Sequence, residues 1–186
     1  YFLGTPGAFQ KENQRIIKAM EQQMGNIVLI GMPGTGKSII GKLLAELTGK
    51  TLQDTDAKIE EEAKMTIPEI FEKEGEAGFR DRESAVCKKL GKERNLIIAT
   101  GGGAILRPEN VDALRQNGTL VHITRSIDKL PTRGRPLSKN IEALKKMEAQ
   151  RMPLYKTAAD ITFRNNYTCS RKKLRQRVTT YILEKL

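Results

Sequence analysis

Eight consecutive residues, Gly31-Met32-Pro33-Gly34-Thr35-Gly36-Lys37-Ser38, fit the pattern G-x-x-x-x-G-K-[ST]. Each residue type has a chemical reason to stand where it does. Glycines at 34 and 36 let the backbone turn tightly and aim N–H groups at phosphate oxygens. The helix that must follow adds the favourable potential of its N-terminus for an anion. Lys37 is placed to reach the β- and γ-phosphates of a nucleotide, and Ser38 offers a hydroxyl to Mg²⁺. Without a ligand, the same residues are a glycine-rich turn between a strand and a helix. The apolar run from Ile27 to Met32 and the helical pattern after Ser38 supply the context that the phosphate-binding reading requires. The motif specifies nucleotide binding but no particular reaction, because kinases, ATPases and GTPases share it.

Other residues must choose the reaction. Asp54-Thr55-Asp56 follows a second, weaker strand pattern, and the carboxyl ends of strands form the ligand crevice in α/β sheets. On an extended segment the two carboxylates point the same way, one to hold Mg²⁺ through water and one to accept a hydroxyl proton. The competing reading makes them a helix start, with Asp54 or Thr55 as cap and Asp56 favouring the dipole. Gly101-Gly102-Gly103 ends a third apolar run and marks a place where backbone approaches something closely. Arg80, taken alone, is a surface arginine with Glu83 as its i+3 partner. His122, the only histidine, lies in a strand pattern and is expected to be structural.

Strands and helices must alternate to carry these groups. Strands are expected at residues 26–31, 51–55, 96–100, 119–124 and 160–163. Helices are expected over residues 38–47, 58–90 (broken at Pro68, Gly75 and Gly78), 108–116, 139–152 and 170–186, the last capped by Ser170. Phe9 to Met24 is amphipathic, with Ile16, Ile17, Met20 and Met24 on one side. Such alternation implies an α/β fold with a parallel sheet covered on both faces.

Read in order, the chain resembles the shikimate kinase family. The resemblance rests on Gly31 to Ser38, Asp54-Thr55-Asp56, and Phe71-Glu72-Lys73-Glu74-Gly75-Glu76 leading to Phe79-Arg80 and Glu83. It continues through Thr100-Gly101-Gly102-Gly103, Arg133-Gly134-Arg135-Pro136-Leu137, and Arg151 before Pro153-Leu154-Tyr155. It runs from about Asn26 to the C-terminus; gluconate and nucleoside-monophosphate kinases share the fold but not this combination. The resemblance implies a three-layer α-β-α P-loop fold, a five-stranded parallel sheet in the order 2-3-1-4-5, and a lid over about residues 125–138. It implies transfer of the γ-phosphoryl group of MgATP to the 3-hydroxyl of shikimate. It puts nucleotide contacts at Gly34, Thr35, Gly36, Lys37, Ser38, Ile39 and Arg135, and metal contacts at Ser38 and, through water, Asp54. It puts the acceptor at Asp56, Arg80, Gly102, Gly103 and Arg151, and catalysis at Lys37, Asp56 and Arg135. The stretch from Ile127 to Gly134 is shorter than in many family members, which leaves the adenine-stacking arginine open between Arg125 and Arg133.

Composition bounds the rest. The chain has 186 residues, enough for one domain with its own core, and a formal charge of +11. No apolar run approaches the ~20 residues of a membrane span, and no secretory signal pattern is present. Two cysteines, Cys87 and Cys169, are far apart, which argues against a zinc site and suits a reduced cytoplasmic protein. Seven basic residues from Arg164 to Lys185 face one acid, Glu184. They fit a nucleic-acid patch or the wet face of a helix whose apolar stripe is Leu174, Val178, Tyr181 and Ile182. The scarcity of aromatics, at 5%, favours the second. The expectation is a cytoplasmic monomer that binds shikimate and ATP, with no membrane and no specific nucleic acid as partner. Tyr1 in place of Met reads as a fragment or a processed chain, and residues 1–25 as an extension, for instance the remnant of a fused upstream enzyme, ahead of a domain at 26–186.

Overall fold

The computed structural model describes residues 24–130, 141–166 and 170–186. Its centre is β1 (Asn26–Ile30), in which every residue is buried. Around it lie β2 (Thr51–Asp54), β3 (Leu96–Ala99), β4 (Gly118–Thr124) and β5 (Ile161–Arg164), all parallel, in the order β2-β3-β1-β4-β5. A strand covered on both faces needs apolar residues at every position, which is why Ile27-Val28-Leu29-Ile30 shows no alternation. Its side chains still divide by parity. Val28 and Ile30 join a core with Ile98 and Leu120, whereas Ile27 and Leu29 join a second core with Ile97, Val121 and Ile123.

Helices cover the two faces unequally. One face is packed by α1 (Lys37–Thr48), through Ile40, Leu43 and Leu44, and by α6 (Arg171–Tyr181), through Val178. The other is packed by α2 (Thr55–Ala63), α3 (Ile67–Lys92), α4 (Pro108–Arg115) and α5 (Ile141–Ala158). Ser170 caps α6 by accepting from Lys173 N–H. Leu174 and Ile182 pack on the sheet and Tyr181 is exposed, while Lys172, Lys173 and Arg175 face solvent. This is the wet-face arrangement of the basic segment.

Several expected boundaries differ: the helix expected from residue 58 starts at Thr55, and the one expected over 170–186 ends at Tyr181, with a 3-10 turn at Leu183–Lys185. Within the stretch from Lys58 to Leu90 the helix does break next to Pro68, between Ala63 and Ile67, and Pro68 stands in the first turn of α3, which needs no proline N–H. Glu69 reaches back to Thr66 N–H at 2.7 Å to fix that start. Only Gly75 leaves helical geometry (φ 70, ψ −176); Gly78 does not interrupt the helix. The helix expected to stop at Met152 runs through Pro153 to Ala158, since Tyr155 and Ala158 bury against the core beyond it. The helix expected over Phe9 to Met24 lies outside the described residues except for half-exposed Met24.

Candidate active site

The phosphate loop leaves β1 and enters α1 through left-handed backbone, with Gly34 at φ 85 and Gly36 at φ 99. Gly36 caps α1, so Lys37 is its first helical residue. Lys37 Nζ donates to Gly31 O at 2.7 Å and Met32 O at 3.0 Å, within the loop's own concavity. Thr35 is buried and its hydroxyl donates to Met32 O at 3.0 Å. Just past the end of edge strand β5, Asn165 Nδ2 donates to Thr35 O at 2.7 Å, close enough that a Cβ at Gly36 would sit 2.5 Å from it. Sequence gave no signal for Asn165, which lies 130 positions from its partner.

Asp54 resolves the two readings of the acid pair. It is the last residue of β2 and the N-cap of α2, so the pair does not lie on an extended segment as one reading expected. Its Oδ1 accepts from Asp56 N–H at 3.0 Å and Ala57 N–H at 3.3 Å, and its Oδ2 accepts from Ser38 Oγ at 3.3 Å. The cap and the link to the phosphate loop are thus two oxygens of one carboxylate. Asp56 sits in the first turn of α2 and turns its side chain toward Gly101. A Cβ at Gly101 would lie 2.5 Å from Asp56 Oδ1 and 2.9 Å from Glu83 Oε1. Thr55, fully buried, accepts from Gly101 N–H at 2.8 Å and ties the two strand ends together.

The glycine triplet is where the remaining groups meet. A Cβ at Gly103 would overlap the Arg80 guanidinium, and one at Gly102 would meet Pro33 Cδ at 2.7 Å. Arg80 is buried rather than on the surface, donating to Glu83 Oε2 at 2.7 Å and Glu76 Oε1 at 3.1 Å. Arg151, also buried, donates to Gly102 O at 3.0 Å. One cleft of about 590 Å³ is lined by Lys37, Ser38 and Ile39 on the phosphate side and by Asp56, Arg80 and Arg151 on the other. Arg125 lines the same cleft, whereas Arg133, Arg135 and the rest of the lid from residue 131 to 138 lie outside the described residues.

Electrostatics single out Asp56. Burial, with Asp54 and Glu83 nearby, pushes its carboxyl up to about 6 despite the opposing charge of Lys37. Burial also raises the Glu83 carboxyl, and Arg80 pulls it part of the way back. Burial lowers Arg151, assisted by Arg80, which places the two guanidinium groups within each other's field. Asp56 Oδ1, Glu83 Oε1 and Arg80 Nε are buried without a hydrogen-bond partner among the described residues. Such orphans are costly unless a ligand satisfies them.

A family model described as shikimate kinase matches residues 33–186. The chain belongs to the shikimate kinase family. It is 48% identical to the shikimate kinase of Nitrosomonas europaea over 74% of this chain and 69% of that one. It is 41% identical to that of Chromobacterium violaceum over 77% and 82%. Among solved structures, a shikimate kinase from Acinetobacter baumannii in complex with shikimate superposes with a TM-score of 0.80 at 36% identity, covering 90% of this chain and 97% of that one. Against this family background, Glu83 is a buried partner of Arg80 and no mere surface helix neighbour, Thr55 ties the strand ends together where a helix cap was one expectation, and Tyr155 had no role read for it in sequence. A run of three glycines facing an Asp-Thr-Asp turn was the available signal for Thr55.

Proposed function

We infer that the chain transfers the γ-phosphoryl group of ATP to the 3-hydroxyl of shikimate, giving shikimate 3-phosphate and ADP, a step toward aromatic amino acids. The observation that carries this reading is the meeting at Gly101-Gly102-Gly103 of an acidic group with an unpaired oxygen, two buried arginines and the edge of a phosphate loop. An acceptor carrying both a carboxylate and hydroxyls matches that set. Guanidinium forks suit a carboxylate, and Asp56 Oδ1 suits a hydroxyl proton.

Each residue then has a task. Gly34, Thr35, Gly36, Lys37, Ser38 and Ile39 receive the nucleotide, and Lys37 turns from Gly31 O and Met32 O to the transferring phosphate. Asp56 orients the 3-hydroxyl and takes its proton. Arg80 and Arg151, beside Gly102 and Gly103, hold the carboxylate, with Glu83 fixing the Arg80 fork. Arg135 adds charge at the phosphates, and Arg125, which lines the cleft, stacks on the adenine. Ser38 Oγ and Asp54 Oδ2, hard oxygens 3.3 Å apart, fit Mg²⁺, Asp54 acting through water. With two oxygens from the protein, such an ion would take its other ligands from phosphates and water. When bound, the ion neutralises charge on the β- and γ-phosphates. No helix among the described residues is long and apolar enough to cross a membrane. Buried, free Cys87 suits a reducing compartment, and on that ground we place the reaction in the cytoplasm, carried out by a monomer.

An omission assay tests this reading. ADP should form only when shikimate, ATP and Mg²⁺ are all present, and ³¹P–¹H NMR should show the new ester at carbon 3. ADP release independent of shikimate, or a phosphate on another hydroxyl, would refute it.

A further inference from the structure

The clamp on Gly102 has a second member that the roles above leave unused. Tyr155 is almost wholly buried, and its hydroxyl donates to Gly102 O at 2.5 Å, alongside the Arg151 bond to the same oxygen at 3.0 Å. The two residues are one helical turn apart on α5 and so reach the same side. A carbonyl has two lone pairs, and these two donors fill them. The 102–103 peptide is trans and planar, so fixing Gly102 O also fixes the Gly103 N–H on its opposite edge. That N–H makes no hydrogen bond among the described residues, and Gly103 lines the cleft next to Arg80. The Tyr155 ring stacks on His122, with centroids 4.8 Å apart and planes at 20°. His122 in turn pairs in register with Ile30, the residue before the phosphate loop. The hydroxyl is therefore held from beneath by the sheet. Burial also raises the phenol and lowers His122 to about 4, so one stays a donor and the other stays neutral near neutral pH.

We propose that Tyr155 is a positioning residue for the acceptor: by sharing the Gly102 carbonyl with Arg151, it fixes the Gly102–Gly103 peptide and the orientation in which the remaining N–H groups of the Arg151 fork meet the acceptor carboxylate. This rests on the shikimate kinase reading above. Without the hydroxyl, the carbonyl has Arg151 as its only remaining donor. The peptide and the fork then lose their common anchor, while the phosphate loop is untouched.

Tyr155→Phe tests the proposal, because it keeps the ring on His122 and removes only the hydroxyl. The expected result is a KM for shikimate raised about tenfold, equivalent to about 1.4 kcal/mol, with KM for ATP within twofold of the unmutated enzyme. A shikimate KM within twofold, or equal rises in both KM values, overturns it whatever happens to the melting temperature. If the unmutated enzyme does not turn over shikimate, the functional reading itself fails, a distinct result. Should Tyr155→Phe not fold, the unmutated protein labelled with ¹³Cζ-tyrosine gives the answer. Its four tyrosines are assigned by replacing the other three, and the Tyr155 signal should shift on adding shikimate and not on adding ADP. A signal unmoved by shikimate overturns the proposal.

Discussion

Asp56 shows how one carboxylate is tuned by its surroundings. Its carboxyl is raised from 3.8 to about 6 by burial and by Asp54 and Glu83. A base must be ionised to accept a proton, so kcat/KM for shikimate should fall as pH drops below about 6; a profile flat down to pH 4.5 would contradict the role. The same shift affects folding in the opposite sense. The folded state holds the proton more tightly than the unfolded chain, so the stability this contributes is full below about 4 and is lost as pH rises through about 6. Asp56→Asn mimics the uncharged form. It should remove nearly all turnover, leave ATP binding intact, and raise stability at pH 7.5 by about 1–3 kcal/mol. Lys37→Ala should cost about 3–4 kcal/mol of transition-state stabilisation, the range for losing one preorganised electrostatic donor, measured as kcat/KM. At this scale the phosphate loop was legible because its residues are contiguous. Arg80 was not legible on its own, because burial against a glycine 23 positions away leaves no mark in Phe79-Arg80-Asp81; only the resemblance placed it beside Arg151.

Among the elements, glycines mark two kinds of close approach that respond differently to substitution. Gly91 in α3 lies against α4, where an added Cβ would overlap Ala113 O. Gly91→Ala should lower stability by about 1–3 kcal/mol, the usual cost of overpacking, and leave both KM values near normal. Gly103→Ala instead pushes on the Arg80 guanidinium. It should raise the KM for shikimate at least tenfold with a smaller loss of stability, as read by melting curves beside steady-state kinetics. Comparable melting losses with unchanged kinetics in both would mean that the triplet is only a turn. The strand positions were legible from short apolar runs, and β2 was weak in sequence because it is an edge strand only partly buried. The α5 boundary was misjudged because tertiary burial of Tyr155 outweighs the hydrogen bond lost at Pro153. The acid pair stayed open because a strand end and a helix cap use the same residue types, and Asp54 serves as both.

Across the whole molecule, the sheet order brings the ends of β1, β2 and β3 together, so chain segments 31–38, 54–56 and 100–103 meet although sequence separates them widely. All the site residues assigned above follow residue 30. Removing residues 1–23 should therefore leave kcat/KM within about threefold; loss of activity in a folded, truncated protein would show that the segment helps build the site. The basic segment around α6 has its apolar side on the sheet. Affinity for nucleic acid should accordingly be weak and vanish with added salt. The choice of acceptor decides the function, and a panel of kcat/KM values with MgATP and shikimate, gluconate or AMP reads it out. Shikimate should lead the panel by several orders of magnitude; equal or better turnover of gluconate or AMP would rule the assignment out.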